Sequence, residues 1–427
     1  MLTSRFSKPI FLFTGIFFTA TLSLIAQNFD TPSPSEIGFS VERLNRLDKV
    51  FSDYVNDQKM AGSVILVGRK DKIAYYKSFG FRDVESKSKM QKDAIFRIAS
   101  QTKAIVSVGI MILQEEGKLL IQDPVGKFIP EFNETTVAVP NEDGGYDVVP
   151  AKRKITIRDL LTHTSGLGYG NGPAKELWAE AEIQGWYFAH RSETILETVK
   201  RMASLPMDSQ PGEKWVYGYS VDVLGAVIEV ASGMPLDVFL KTKIFDPLGM
   251  KDTHFYLPKE KVDRLATVYD PEEGKPLKRA PKEGTMNSQG QYVDGPRKSF
   301  SGGAGLLSTA VDYYLFLQMM ENKGELNGAR ILAPSTVHLM TINHLHPDLW
   351  FRAGEGFGLG FDVVVDEGRC GFPGSLSQFG WGGAYGSTYW VDPKEELVVV
   401  YMTQLRPGSI VRDQLELRAL IYQAMVD

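Results

Sequence analysis

A hydroxyl and an amine stand one helical turn apart at Ser100 and Lys103, ahead of a run from Ala104 to Leu113 that is apolar apart from Ser107 and Gly109. A helix with that pattern is greasy on nearly every side and belongs inside a core. The i, i+3 spacing puts the two polar groups on one face. The start of such a helix also leaves backbone N–H groups unpaired at the positive end of its dipole. One turn therefore offers a nucleophile, a base and a first oxyanion donor, the parts of an acyl-transfer site. Ser100 is expected at or next to the N-cap, with Gly117 as the C-terminal stop. A second Ser-x-x-Lys, Ser86 to Lys89, lies in a charged stretch with no apolar helix behind it and reads as a solvated turn. His344 and His346 lack a third ligand at metal-binding spacing, so no metal or other cofactor is expected.

The elements that must hold this turn can be read from the rest of the chain. Its 427 residues, 43% hydrophobic and 23% charged, suffice for a large core or two lobes. A net charge of −5 without long Lys/Arg runs argues against nucleic acid as a partner. Arg5 and Lys8 precede an apolar run from Ile10 to Ala26 and then a Pro/Ser-rich stretch. That order predicts a secretory signal peptide over residues 1–26, and an exported, periplasmic or secreted protein with no stable membrane insertion after cleavage. The lone Cys370 allows no internal disulfide.

Hydrophobic periodicity predicts an amphipathic helix over Ser40–Asp57, then a hairpin of Gly62–Gly68 and Lys72–Phe79. From about residue 128 to 297 the texture is helical with little strand signal, with helices at Ala174–Ala181, Glu193–Ala203, Asp222–Ser232 and Leu236–Ile244. A helix near Ala310–Asn322, strands at Gly358–Val365, Leu376–Trp381, Tyr385–Val391 and Leu397–Thr403, and a helix at Val411–Met425 follow. Strands at both ends predict an α/β fold of α+β type. A mostly antiparallel sheet from about 27–127 and 298–427 is flanked by helices, and about 128–297 is inserted as an all-helical lobe.

Five blocks occur in a telling order. They are Ser100-Gln101-Thr102-Lys103; Leu-Leu-Thr-His-Thr-Ser-Gly-Leu from Leu160 to Leu167; Pro-Gly-Glu-Lys-Trp-Val-Tyr from Pro211 to Tyr217, with Leu224-Gly225; the glycine block Gly302 to Thr309; and Trp381-Gly382-Gly383. By these the chain resembles the serine β-lactamase and penicillin-binding-protein superfamily, in particular the class C-like branch that includes family VIII carboxylesterases. The resemblance implies a β-lactamase/transpeptidase-like fold. It implies attack by Ser100, proton transfer by Lys103 and Tyr217, and an acyl-enzyme that water hydrolyses. It also implies an oxyanion hole from the backbone N–H groups of Ser100 and Ala384, with Trp381, Gly382 and Gly383 beside the substrate. A free lysine amine, ordinary pKa about 10.4, is a poor base at neutral pH, so its surroundings must help.

Two departures bear on substrate. The family's Tyr-x-Asn is Tyr217-Gly218-Tyr219 here; the literal strings at Tyr54 to Asn56 and Tyr169 to Asn171 follow no Pro-Gly block and are set aside. The Lys-Thr-Gly strand of β-lactamases is Trp381-Gly382-Gly383. His163 matches a structural turn, and the glycine block lacks the Lys-Ser/Thr ending of a phosphate loop. The expected activity is hydrolysis of a small-molecule ester or amide. A β-lactamase, a D-amino-acid peptidase or a non-catalytic binding protein are the alternatives.

Overall fold

The computed structural model describes residues 33–272, 274–408 and 411–427. The signal peptide expected over residues 1–26 lies outside them. Helix α1 (Val41–Asn56) begins at the N-cap Ser40, whose hydroxyl accepts from the Arg43 N–H at 3.3 Å. Strands β1 (Gly62–Arg69) and β2 (Lys72–Asp83) then form a hairpin. Its two-residue turn puts Lys70 and Asp71 at φ +52° and +61°, the left-handed pair that matches the twist of the strands. A short strand β3 (Ser88–Lys89) pairs with β2, and helix α2 (Thr102–Glu115) follows, ended by left-handed Gly117 at φ +70°.

The middle of the chain holds a hairpin of β4 (Thr136–Pro140) and β5 (Tyr146–Pro150), then α3 (Ile157–Leu161), α4 (Lys175–Glu180), α5 (Ile195–Met202), α6 (Ser220–Ser232) and α7 (Leu236–Leu240). The β4–β5 hairpin corrects the expectation of little strand there. A shorter pair, Tyr269–Asp270 with Lys278–Arg279, does the same. Helices α8 (Ala310–Glu321) and α9 (Pro334–Met340) lead to β6 (Glu355–Phe357), β7 (Asp362–Val364), β8 (Phe379–Gly382), β9 (Thr388–Asp392), β10 (Leu397–Thr403) and α10 (Asp413–Tyr422). The strand expected over Gly358–Val365 begins only at Asp362, and the residues before it are the turn that joins β6 to β7. Gly358 donates to the Phe361 carbonyl at 2.8 Å, and Gly360 takes φ +98°, which breaks the strand at its glycines.

The main sheet has eight strands in the order β6-β7-β8-β9-β10-β1-β2-β3, every pairing antiparallel. β1 and β10 read as unbroken apolar runs because both faces are covered. Val64, Leu66, Val398 and Val400 face the core that contains α2, α6 and α8, whereas Ile65, Val67, Val399 and Tyr401 face a second core under α1 and α10. Helix α2 is buried from Thr102 to Leu113. Gly109 lets α6 and α7 approach it, since a Cβ there would stand 3.0 Å from Ile228 Cδ1.

Candidate active site

Ser100 lies in a single 3-10 turn, Ala99–Gln101, one residue ahead of the N-cap of α2. Ala99 is left-handed at φ +43°. A non-glycine residue in that region costs about 1–3 kcal/mol and persists only where its surroundings fix it. They do so from several sides. The Ile98 N–H donates to the Leu306 carbonyl at 3.1 Å, the Leu306 N–H to Thr102 Oγ1 at 3.1 Å, and the Tyr313 hydroxyl to the Gln101 carbonyl at 2.9 Å. The glycine block and α8 thus hold the turn.

Lys103 is 2% exposed, and its Nζ lies 3.2 Å from Ser100 Oγ, 3.1 Å from the Tyr169 hydroxyl and 2.8 Å from the Gly303 carbonyl oxygen. The carbonyl can only accept, so the amine must donate there. The same amine divides its remaining positions between Ser100 Oγ and the Tyr169 hydroxyl. Burial, with further contributions from Tyr217 and Asp222, pushes the Tyr169 phenol well above its usual value and keeps it protonated. Tyr169 belongs to a string set aside on sequence grounds, and its hydroxyl is a member of the site that sequence reasoning missed. The signal was the glycine spacing around it. Gly166 and Gly170 take φ +87° and +75°, folding the loop so that the tyrosine returns to Lys103.

Tyr217 stands on the other side of the lysine, its ring centroid 4.6 Å from Nζ. Its hydroxyl accepts from the Trp381 indole N–H at 3.0 Å. That bond places Trp381 on the tyrosine, a contact the sequence did not disclose. Gly218 is required where it is, because a Cβ there would come within 2.2 Å of the Leu167 carbonyl oxygen. The Val216 N–H also donates to the His163 carbonyl at 2.8 Å, so the His-Thr-Ser-Gly block anchors the segment that carries Tyr217. His163 itself is buried among Trp215, Tyr217 and Phe357. Burial and the Lys103 charge hold its imidazole well below the ordinary value, which makes it a neutral packing group. Tyr219 is fully buried, stacked on Trp178 and bonded to the Gly185 carbonyl at 2.7 Å, away from Lys103.

Strand β8 brings in the remaining residues. Gly383 passes so close to the Ser100 turn that a Cβ would lie 2.6 Å from the Ile98 carbonyl oxygen. That approach sets Ala384 beside Ser100, and both line a cavity of about 480 Å³ with Tyr217, Trp381, Gly382 and Trp186. The second candidate Ser-x-x-Lys is elsewhere: Ser86 is exposed and bonded to Asp83. His344 bonds the Leu339 carbonyl at 2.7 Å.

The family model described as Beta-lactamase matches residues 47–423. Protein Rv1367c of Mycobacterium tuberculosis is 34% identical over 367 residues, which cover 82% of this chain and 88% of that protein. Esterase EstB of Burkholderia gladioli is 30% identical over 374 residues, covering 84% and 89%. Among solved structures, EstCE1, described as a hydrolase with promiscuous acyltransferase activity, superposes with a TM-score of 0.75 at 28% identity, covering 89% of this chain and 99% of its own.

Proposed function

The chain belongs to the beta-lactamase family, and from that premise we propose that it is an exported serine hydrolase that cleaves small carboxylic esters through an acyl-enzyme on Ser100. The observation that carries this reading is the set of contacts around Lys103 Nζ, with Ser100 at 3.2 Å in the wall of an open cavity. EstB and EstCE1, an esterase and a hydrolase by description, support the class of substrate. The N-terminal Arg5, Lys8 and apolar run support export.

In this reading Ser100 Oγ attacks the ester carbonyl while its proton passes to Lys103. The backbone N–H groups of Ser100 and Ala384 receive the oxyanion, where preorganised donors lower the barrier by about 3–4 kcal/mol each. Tyr217 then protonates the departing alcohol. Because its oxygen already accepts from Trp381, its own O–H is free to point at the leaving group. Water attacks the acyl-enzyme by the reverse proton path. The test is a serine-directed phosphonate. It is expected to add once, on Ser100, with hydrolysis of aryl esters abolished in Ser100→Ala. Labelling at Ser86, or full activity in Ser100→Ala, would overturn the assignment.

A further inference from the structure

Asp222, on α6, is 1% exposed, and its carboxyl is close enough to Lys103 to be acted on by that charge. Its Oδ1 accepts from Ser301 Oγ at 2.6 Å and from the Gly303 N–H at 3.0 Å, while Oδ2 has no hydrogen-bond partner among the described residues. A Cβ on Gly303 would stand 2.3 Å from that second oxygen, so the turn is pressed directly against the carboxyl. The same Gly303 gives its carbonyl to Lys103 Nζ at 2.8 Å. Burying a carboxylate with one oxygen unsatisfied is costly. Serving as scaffold alone would call for a neutral side chain that satisfies both donors. We propose that Asp222 is a positioning residue for the reaction at Ser100. It clamps the turn whose Gly303 carbonyl aims Lys103, and it sets a buried negative charge beside that amine. This rests on the reading of Lys103 as the base for Ser100.

The groups around the pair leave few other charges to do this. Lys103 faces Tyr169, Tyr217 and His163, and Asp222 faces Tyr169 and Tyr219. Burial pushes the Asp222 carboxyl up, and Ser301, Lys103 and Gly303 pull it back towards the ionised form. A cation that loses a neighbouring anion gives up its proton more readily.

The experiment is the pH profile of phosphonate addition to Ser100, measured in the full chain with folding checked by thermal melting. In Asp222→Asn the amide oxygen still accepts from Ser301 and Gly303, but the charge is gone. The rise of the rate with pH should then move about one unit towards acid, the low end of the effect of a neighbouring charge. If Asp222→Asn does not fold, Ser301→Ala takes its place. A carboxylate deprived of its hydroxyl donor takes up a proton more easily, so the same acidward shift is expected at smaller size. A folded variant whose profile coincides with wild type overturns the proposal. Wild-type protein that takes no label at Ser100 overturns the hydrolase reading, and this one with it.

Discussion

Each polar atom at the centre of the site has a limited set of partners, and that sets what each substitution will do. Lys103→Ala and Tyr217→Phe should each lower kcat by about 10²–10⁴-fold, the range for losing general acid–base catalysis. Tyr219→Phe should leave kcat within about twofold and cost about 1 kcal/mol of stability, because only its bond to the Gly185 carbonyl is lost. Ester turnover and thermal denaturation of the purified variants check both statements. A silent Tyr217→Phe beside an inactive Tyr219→Phe would reverse the two roles. Ser100 and Lys103 were legible in the sequence because their proximity is local, a matter of i, i+3 geometry. Tyr169 was not, since its nearness to Lys103 is made by a glycine-bearing loop. The Trp381–Tyr217 bond joins residues from β8 and from the loop before α6, and no pattern along the chain encodes it.

Elements with one clear period or one unbroken apolar run were readable, and those broken by glycine were not. α1 and β10 fall within a residue of their expected bounds. The strand expected over Gly358–Val365 took in the turn between β6 and β7 and left β6 out, because the apolar residues around Gly358 and Gly360 look like strand although those glycines turn the chain. The β4–β5 hairpin escaped because its valines alternate only briefly between prolines. Helix α8 carries a testable consequence at its C-terminal end. Burial pushes the Glu321 carboxyl up to about 7, with the charges of Asp71 and Glu396 adding to it. The negative end of the helix dipole acts in the same direction. An acid whose folded pKa lies above its unfolded value of about 4.3 binds more protons when folded. Stability therefore falls as pH rises from that value through about 7. Glu321→Gln should be more stable than wild type at pH 8 by about 1 kcal/mol, a figure that allows for water reaching the carboxyl. At pH 5 the two should melt together. Denaturant titrations at the two pH values test this, and a variant less stable than wild type at pH 8 would show that the carboxylate is held by an attraction instead.

At the scale of the molecule, the order of the sequence blocks was informative because the fold brings Ser100, Tyr217 and Trp381 to one cavity and bonds the other two blocks to the segments that carry them. What the cavity prefers is decided by charges that no single block reveals. The lysine of the β-lactamase Lys-Thr-Gly pattern, which meets the carboxylate of a penicillin or cephalosporin, is Trp381 here, and its indole N–H is already committed to Tyr217. A cation beside that ring is Arg352, whose guanidinium lies 4.9 Å over it. It is not free: its Nη1 lies 3.3 Å from Glu355 and 3.4 Å from Asp362. Burial and the Glu355 charge push the Asp362 carboxyl up to about 6 against the pull of Arg352 and Arg418, so an anion brought into the cavity would meet two acids and two guanidinium groups that are already engaged. A charge-assisted hydrogen bond contributes about 1.5–3 kcal/mol, or roughly ten- to a hundredfold in kcat/KM. An uncharged ester needs no such bond and gains the faces of Trp381 and Trp186. The expected outcome is a kcat/KM for a short-chain aryl ester at least about a hundredfold above that for nitrocefin. Trp381→Lys should narrow the gap from the lactam side, since the ammonium can meet the lactam carboxylate. Equal turnover of nitrocefin and ester by the wild-type protein would overturn the ester preference and favour the lactamase reading, while the chemistry assigned to Ser100 would stand.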